Sequence, residues 1–343
     1  MMPRTLAALC RELDLLGRRA GRPLETLYLG GGTPSLVPAP LLERVFCVLD
    51  LHFPRLRGAE VTLEANPDDV TRELAATWAR RGVTRVSVGV QAFADPVLEM
   101  LNRRHTAAQA RAAVALLQEA GFSVSVDLML GLPRMTPAQL DETVAEVLRL
   151  RPGHISVYLL EMDKPHALAR LAARQPDLFP DADASARQYL AAGGALVRAG
   201  YRHYEISNFA LPGREARHNV RYWRRLPVLS AGLAAHGHSR RRRWAAPDDL
   251  PAYLSAVEGG HLPRAWSRRL DPEEVLKEQV MLGLRLARGV RRDAVETCGR
   301  AAPAFRETMD DFLSLGHARR AGNRVRLTPR GWLVSNELFA TLW

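Results

Sequence analysis

The sequence has 343 residues, 47% of them hydrophobic, and a formal net charge of +11 carried almost wholly by arginine, the only lysines being Lys164 and Lys277. That length allows one large domain and a smaller one, and three widely spaced cysteines exclude a disulfide scaffold. The absence of an apolar run of roughly eighteen residues and of a charged-then-apolar leader points away from a membrane span or secretory signal and makes the cytoplasm the expected compartment.

Leu6, Leu9, Leu13 and Leu16 recur at helical spacing and predict an amphipathic helix over residues 4–19. Thr26 to Leu29 is a short strand that runs into Gly30, Gly31, Gly32, Thr33 and Pro34. Such a glycine run suits a tight turn or an open backbone edge against which a ligand lies. A helix over 38–51 follows, then a strand over 60–65 that ends at Asn66-Pro67, and a helix over 71–81 closed by Gly82. Strands over 85–90, 123–130 and 154–159 alternate with helices from Asp95, over 107–119 and over 137–150. The last of these helices has Thr136 as N-cap and Gln139 three residues on. A helix over 183–199 leads to a strand over 201–206, where the βα rhythm ends.

Repeated βα units with strands about thirty residues apart predict a parallel sheet. Gly30 to Thr33, Glu64, Gln91, Asp127, Glu161 and Glu205 all fall at C-terminal strand ends, the ligand edge of such sheets. No GxGxxG opens a helix, which argues against a dinucleotide fold. The expected fold is α/β: a partial barrel over 1–206, an irregular region over its mouth at 207–265, and a small, mainly helical, winged-helix-like domain at 266–343. Within that last domain helices are predicted over 275–288, 305–315 and 332–342, with a strand over 325–327. The run Arg240 to Trp244 is predicted to be a solvated loop, with a nucleic-acid contact as its alternative.

Taken in order, GGGTPSL (30–36), EANP (64–67), SVGVQAF (87–93), LNRRH (101–105), DLMLGLP (127–133), YEISNFA (204–210), RHNVRYW (217–223) and LTPRGWLVSN (327–336) form a specific set. The set resembles the radical S-adenosylmethionine (SAM) proteins of the oxygen-independent coproporphyrinogen III oxidase type, and among them the haem-chaperone branch. The resemblance implies a partial (β/α)6-type, TIM-like barrel with SAM at the strand C-termini, held by Gly31, Gly32, Thr33, Glu64, Gln91, Arg103 and Asp127. It also implies a [4Fe-4S] cluster beside SAM, and haem as a ligand, with His218 of the HNxxYW pattern as the contact and His236 and His238 as nearby competitors. Carboxylates and an arginine are the groups that SAM's ammonium, carboxylate and ribose hydroxyls need. The implied partners are haem or porphyrin, haem-accepting proteins at the membrane and a second copy of the chain. The expected function is haem delivery. The alternatives are oxidative decarboxylation of coproporphyrinogen III and, in a different class, nucleic-acid binding, the less expected of the three.

The sequence departs from that pattern in two places. The family's CxxxCxxC loop would precede the first helix, and Cys10, Cys47 and Cys298 lack the spacing to replace it. The expectation is a sequence that starts at an internal Met, N-terminally truncated relative to the family; the alternative is a protein that has lost the cluster. Ser230 and Ala234 stand where the family has a glycine-richer run.

Overall fold

The computed structural model describes residues 1–162 and 167–343. Alternation of residue type decides how its main sheet is built. In β2 (Arg55–Ala65), β3 (Arg85–Gln91), β4 (Ser123–Leu130) and β5 (His154–Leu159), one set of positions is aliphatic. Val61, Leu63, Val86, Val88, Val124, Val126, Ile155 and Val157 are buried in the core. The intervening positions, such as Thr62, Glu64, Ser87, Asp127 and Ser156, line a cavity. With a period of two, the apolar set must take one face and the polar set the other.

The strand order is β1-β2-β3-β4-β5-β7-β6, with β1 at Leu24–Leu29, β6 at Arg202–Glu205 and β7 at Asn208–Ala210. Neighbours from β1 to β5 are parallel. Against the apolar face pack α1 (Met2–Ala20), α2 (Ala39–His52), α3 (Arg72–Arg80), α4 (Asp95–Met100), α5 (Ala107–Glu119), α6 (Pro137–Leu150) and α8 (Ala182–Arg198), whereas α7 (Ala167–Arg174) buries no residue. The buried side chains Phe46, Trp78, Leu98, Leu117, Val147 and Leu196 come from these helices.

Two sequence expectations change here. The strand expected over 201–206 does not lie beside β5, because β7 is inserted between them and runs antiparallel to both. The region expected to be irregular contains β7, α9 (Arg217–Trp223), β8 (His236–His238), β9 (Arg242–Ala245) and α10 (Leu250–Glu258). β9 is the central strand of a small sheet, between β8 and β10 (Trp266–Arg269). The arginine run predicted to be a solvated loop is therefore largely a strand. Its Trp244 is buried, and Arg243 pairs with Glu278 at 2.7 Å.

The C-terminal residues form a second hydrophobic cluster around Val280, Phe305, Met309, Phe312 and Trp332. It comprises α11 (Pro272–Leu284), β11 (Val290–Arg291), α12 (Arg292–Ala301), α13 (Pro303–Ser314), β12 (Ala318–Ala321) and β13 (Arg324–Leu327). The three strands pair in the order β11-β13-β12, a wing beside helices. The single last helix expected is two, α14 (Pro329–Leu333) and α15 (Ser335–Ala340). Among the described residues no helix is long and apolar enough to cross a membrane.

Candidate functional site

The polar face of the sheet lines a cavity of about 200 Å³. Thr62 and Glu64 come from β2, Ser87 from β3, Asp127 from β4, and Ser156 and Tyr158 from β5, while Asn219 closes it from α9. Its deeper layer is an ion pair and a hydrogen-bonded chain. Arg85 Nε lies 3.2 Å from Glu60 Oε2. His154 Nδ1 and Ser125 Oγ are 2.6 Å apart, and His154 Nε2 and the Tyr204 hydroxyl 2.8 Å. Burial pushes His154 well below the usual imidazole range, so it is neutral.

The glycine stretch lies at the rim of this cavity. A Cβ on Gly30 would come within 2.5 Å of the Tyr28 ring and 2.7 Å of the Glu64 carboxyl carbon, so only glycine fits. Gly31 has φ +80°, and a Cβ on either Gly31 or Gly32 would point into open space. Glu64 ties this edge to the cavity: it accepts from the Tyr28 hydroxyl at 2.6 Å and from the Gly31 N–H at 3.2 Å. Asp127 accepts from Ser87 Oγ at 3.1 and 3.3 Å, and burial raises its pKa to about 6.

Gln91, with φ +70°, and Arg103 meet over Gly89 rather than in the cavity lining. A Cβ on Gly89 would stand 3.1 Å from Gln91 Nε2 and 3.3 Å from the Arg103 guanidinium. Arg103 donates to Asn66 Oδ1 at 2.9 Å and to the Gly89 carbonyl at 2.8 Å, while its buried Nε has no partner among the described residues. Asn102, with φ +52°, takes the left-handed conformation that asparagine tolerates. The structure thus brings Glu64 and Asp127 to one cavity, ties Gly31 to Glu64 outside its lining, and sets Gln91 and Arg103 as a neighbouring pair. Gly32 and Thr33 lie on the rim outside the lining.

His218 is on α9, whose first turn is held from β2: Glu60 accepts the N–H groups of Arg217 at 3.2 Å and of His218 at 2.9 Å. The imidazole stacks on Tyr28 at 5.1 Å and meets Tyr222 edge-on at 5.4 Å. Its Nδ1 is 2.9 Å from Thr26 Oγ1, and burial lowers its pKa to about 4. His238 lies 5.9 Å from Tyr222, whereas His236 packs on Trp266 at 6.0 Å.

Open backbone, two carboxylates and a buried arginine nitrogen without a partner fit the polar end of SAM. The cysteines do not fit an iron–sulfur cluster: Cys10 is half-buried, Cys47 is exposed and Cys298 is buried in the C-terminal cluster. Among the described residues no group of three or more His, Cys, Asp or Glu side chains could hold a metal ion.

Sequence reasoning did not single out Tyr28, Tyr158, Ser87, Ser156 or the Arg85–Glu60 pair. Their signal was present as the polar half of each strand's alternation, opposite the aliphatic half.

The radical SAM superfamily model matches residues 3–147, and the HemN C-terminal domain model matches residues 270–334. The chain is 35% identical to heme chaperone HemW of Mycobacterium tuberculosis (strain ATCC 25618 / H37Rv) over 344 residues, 99% of this chain and 86% of that protein. It is 30% identical to heme chaperone HemW of Bacillus subtilis (strain 168), covering 97% of this chain and 89% of that one. The solved structure of coproporphyrinogen III oxidase (HemN) from Escherichia coli superposes with a TM-score of 0.85 over 98% of this chain and 82% of that one. At 20% identity that likeness establishes a shared fold.

Proposed function

Because this chain belongs to the HemW family within the radical SAM superfamily, we propose that it is a haem chaperone, which binds haem and passes it to acceptor proteins on a half-barrel that takes up SAM. The observation that carries this reading is the 35% identity to a heme chaperone along 99% of the chain.

The geometry suits each residue to a task. In the tautomer whose Nδ1–H donates to Thr26, the His218 Nε2 lone pair is available to haem iron. A pKa of about 4 keeps that ring neutral at pH 7, as a ligand must be. Tyr28 and Tyr222 hold its orientation and offer aromatic faces to a macrocycle. SAM brings an ammonium, a carboxylate, a sulfonium and a ribose diol. Gly31, Gly32 and Thr33 would meet its amino-acid end through backbone, Glu64 the ammonium, and Asp127 the ribose hydroxyls. Arg103, with Gln91 beside it, would pair the SAM carboxylate. The described residues hold no ligand set for a [4Fe-4S] cluster, and no step through one is assigned to them.

Titration of the full chain with hemin, followed in the Soret band, tests the reading. One haem per chain is expected, with affinity lowered about tenfold or more in His218→Ala. Equal uptake by that variant would remove His218 as the ligand. Decarboxylation of coproporphyrinogen III under anaerobic conditions, without stoichiometric haem uptake, would overturn the chaperone reading in favour of the oxidase.

A further inference from the structure

Glu205 ends β6, yet it does not line the cavity. It is wholly buried; the Ser207 N–H and the Asn208 and Trp223 side chains approach its carboxylate, but among the described residues none of them meets it in good hydrogen-bond geometry. Three more buried polar atoms around it are in the same state: Asn208 Oδ1, Trp223 Nε1 and Arg285 Nε. Such groups seldom stay unpaired without a reason. These four come from different parts of the molecule. Asn208 is on β7, Trp223 is the last residue of α9, and Arg285 caps α11 of the C-terminal body.

The seam between them is continuous. The Ile206 N–H donates to the Arg285 carbonyl at 2.9 Å, and the Ala287 N–H donates to the Tyr204 carbonyl at 3.0 Å. These bonds make a β-bridge between Glu205 and Leu286. The Arg285 guanidinium lies 5.4 Å from the centre of the Trp223 ring and 5.1 Å from that of Phe339. One cation of the C-terminal body therefore presses on the helix that carries His218, beside the Glu205 carboxyl group that the Trp223 and Asn208 side chains also face.

We propose that Glu205 and Arg285 are positioning residues for haem contact: through Trp223 they set the seat of α9, and with it His218, and they tie that seat to the docking of the C-terminal body. The proposal rests on the haem reading of His218. Burial raises the Glu205 pKa to about 7, against the Ser207 N–H, the Asn208 and Trp223 side chains and Arg285, which pull it down. The closed seam thus favours the protonated acid. Its stability is fully present below the ordinary carboxyl range and is lost as pH rises through about 7.

Of the other titrating groups around the seam only Asp127, in the cavity that Asn219 closes from α9, changes charge in that window, and it does so in wild type and in Glu205→Gln alike. Burial raises the phenols of Tyr158 on β5, Tyr189 on α8 and Tyr204 on β6. His203, bonded to the backbone of Glu205, is pushed down to about 4. Arg285 keeps its charge throughout. On α9 and beside it, His218 and His238 are both lowered and Tyr222 is raised.

Amide hydrogen exchange of residues 217–223 in the full, haem-free chain tests the seam, with rates corrected for the intrinsic pH dependence of exchange. Arg285→Met is expected to speed exchange there about fivefold by removing the cation–π contact. In wild type, protection of α9 should fall as pH rises from 5 to 8, and in Glu205→Gln it should fall clearly less, since only the Asp127 contribution remains. A packing role alone would not produce that difference. Should R285M fail to fold, Arg285→Lys keeps the charge without the planar stack and serves the same comparison. Unchanged exchange in the Arg285 variant, or a wild-type pH profile identical to that of E205Q, would overturn the seam. Hemin titration of His218→Ala is the separate control. Uptake equal to wild type overturns the haem half of the proposal while leaving any exchange result to stand for the seam itself.

Discussion

Asp127 has the aliphatic neighbours Val126 and Leu128 on the core face and is itself turned into the cavity, where only Ser87 and Ser156 hydroxyls oppose its desolvation. Its pKa of about 6, against an ordinary 3.8, means that ionisation works against the fold. The stability tied to its proton is present below about pH 4 and lost as pH rises through about 6. Asp127→Asn should therefore raise stability at pH 8 by about 1–2 kcal/mol, a figure reduced for the water the cavity admits. The same change should weaken SAM binding about tenfold, since an amide is a poorer acceptor for ribose hydroxyls. Urea unfolding and SAM titration read the two effects; a variant that is less stable at pH 8 would contradict the sign. Glu64 and Asp127 were legible in the sequence because a carboxylate at the end of a buried strand is conspicuous. Tyr28 and Tyr158 were not, because tyrosine in a strand is ordinary β chemistry until the opposite face is seen to be a cavity.

At the scale of elements, what was legible is what is local. The helix over 137–150 matches α6 to the residue, since its start is written in a capping box that the structure contains in full: the Thr136 side chain accepts from the Gln139 N–H at 3.2 Å, and Gln139 returns to the Thr136 N–H at 2.9 Å. Thr136→Ala should cost ~1 kcal/mol in urea unfolding and leave haem and SAM binding unchanged. Changed ligand binding would mean that the α6 entry is part of the site. What was illegible is what needs a distant partner. β7, β8 and β9 have three or four residues each, too few for a periodic signal, and exist because β5, β6 and β10 offer edges. The arginine run was weighed by charge, and its charges hid a short strand whose end, Trp244 and Ala245, is buried. Ser230, at a family glycine position, accepts from the Trp244 indole at 3.2 Å, and Ala234 takes φ +57° in glycine's place.

At the scale of the molecule, the question is what joins the half-barrel to the C-terminal cluster. The β6 bridge is one tie; a buried ion triad is another. Glu278 of α11 lies 2.7 Å from Arg225, which follows α9, and 2.7 Å from Arg243 of β9. Arg225 and Glu278 are both buried, so that pair is held in low dielectric, while Arg243 is partly exposed. Arg225 also donates to the Arg240 carbonyl at 2.6 Å, which fixes β9 and the end of α9 to one carboxylate. Wild type is therefore expected to unfold as a unit, with far-ultraviolet circular dichroism and tryptophan fluorescence tracing one urea transition. Glu278→Ala leaves a buried guanidinium without its counter-charge, a change expected to cost about 3–5 kcal/mol. The loss falls on the tie between the two clusters rather than within either. The transition should then split into two steps in both signals, since Trp78, Trp223, Trp244 and Trp266 lie outside the C-terminal cluster and Trp332 within it. If E278A still melts in one coincident transition, within about 1 kcal/mol of wild type, the triad is not what couples them, and the weight passes to the β6 bridge and Arg285.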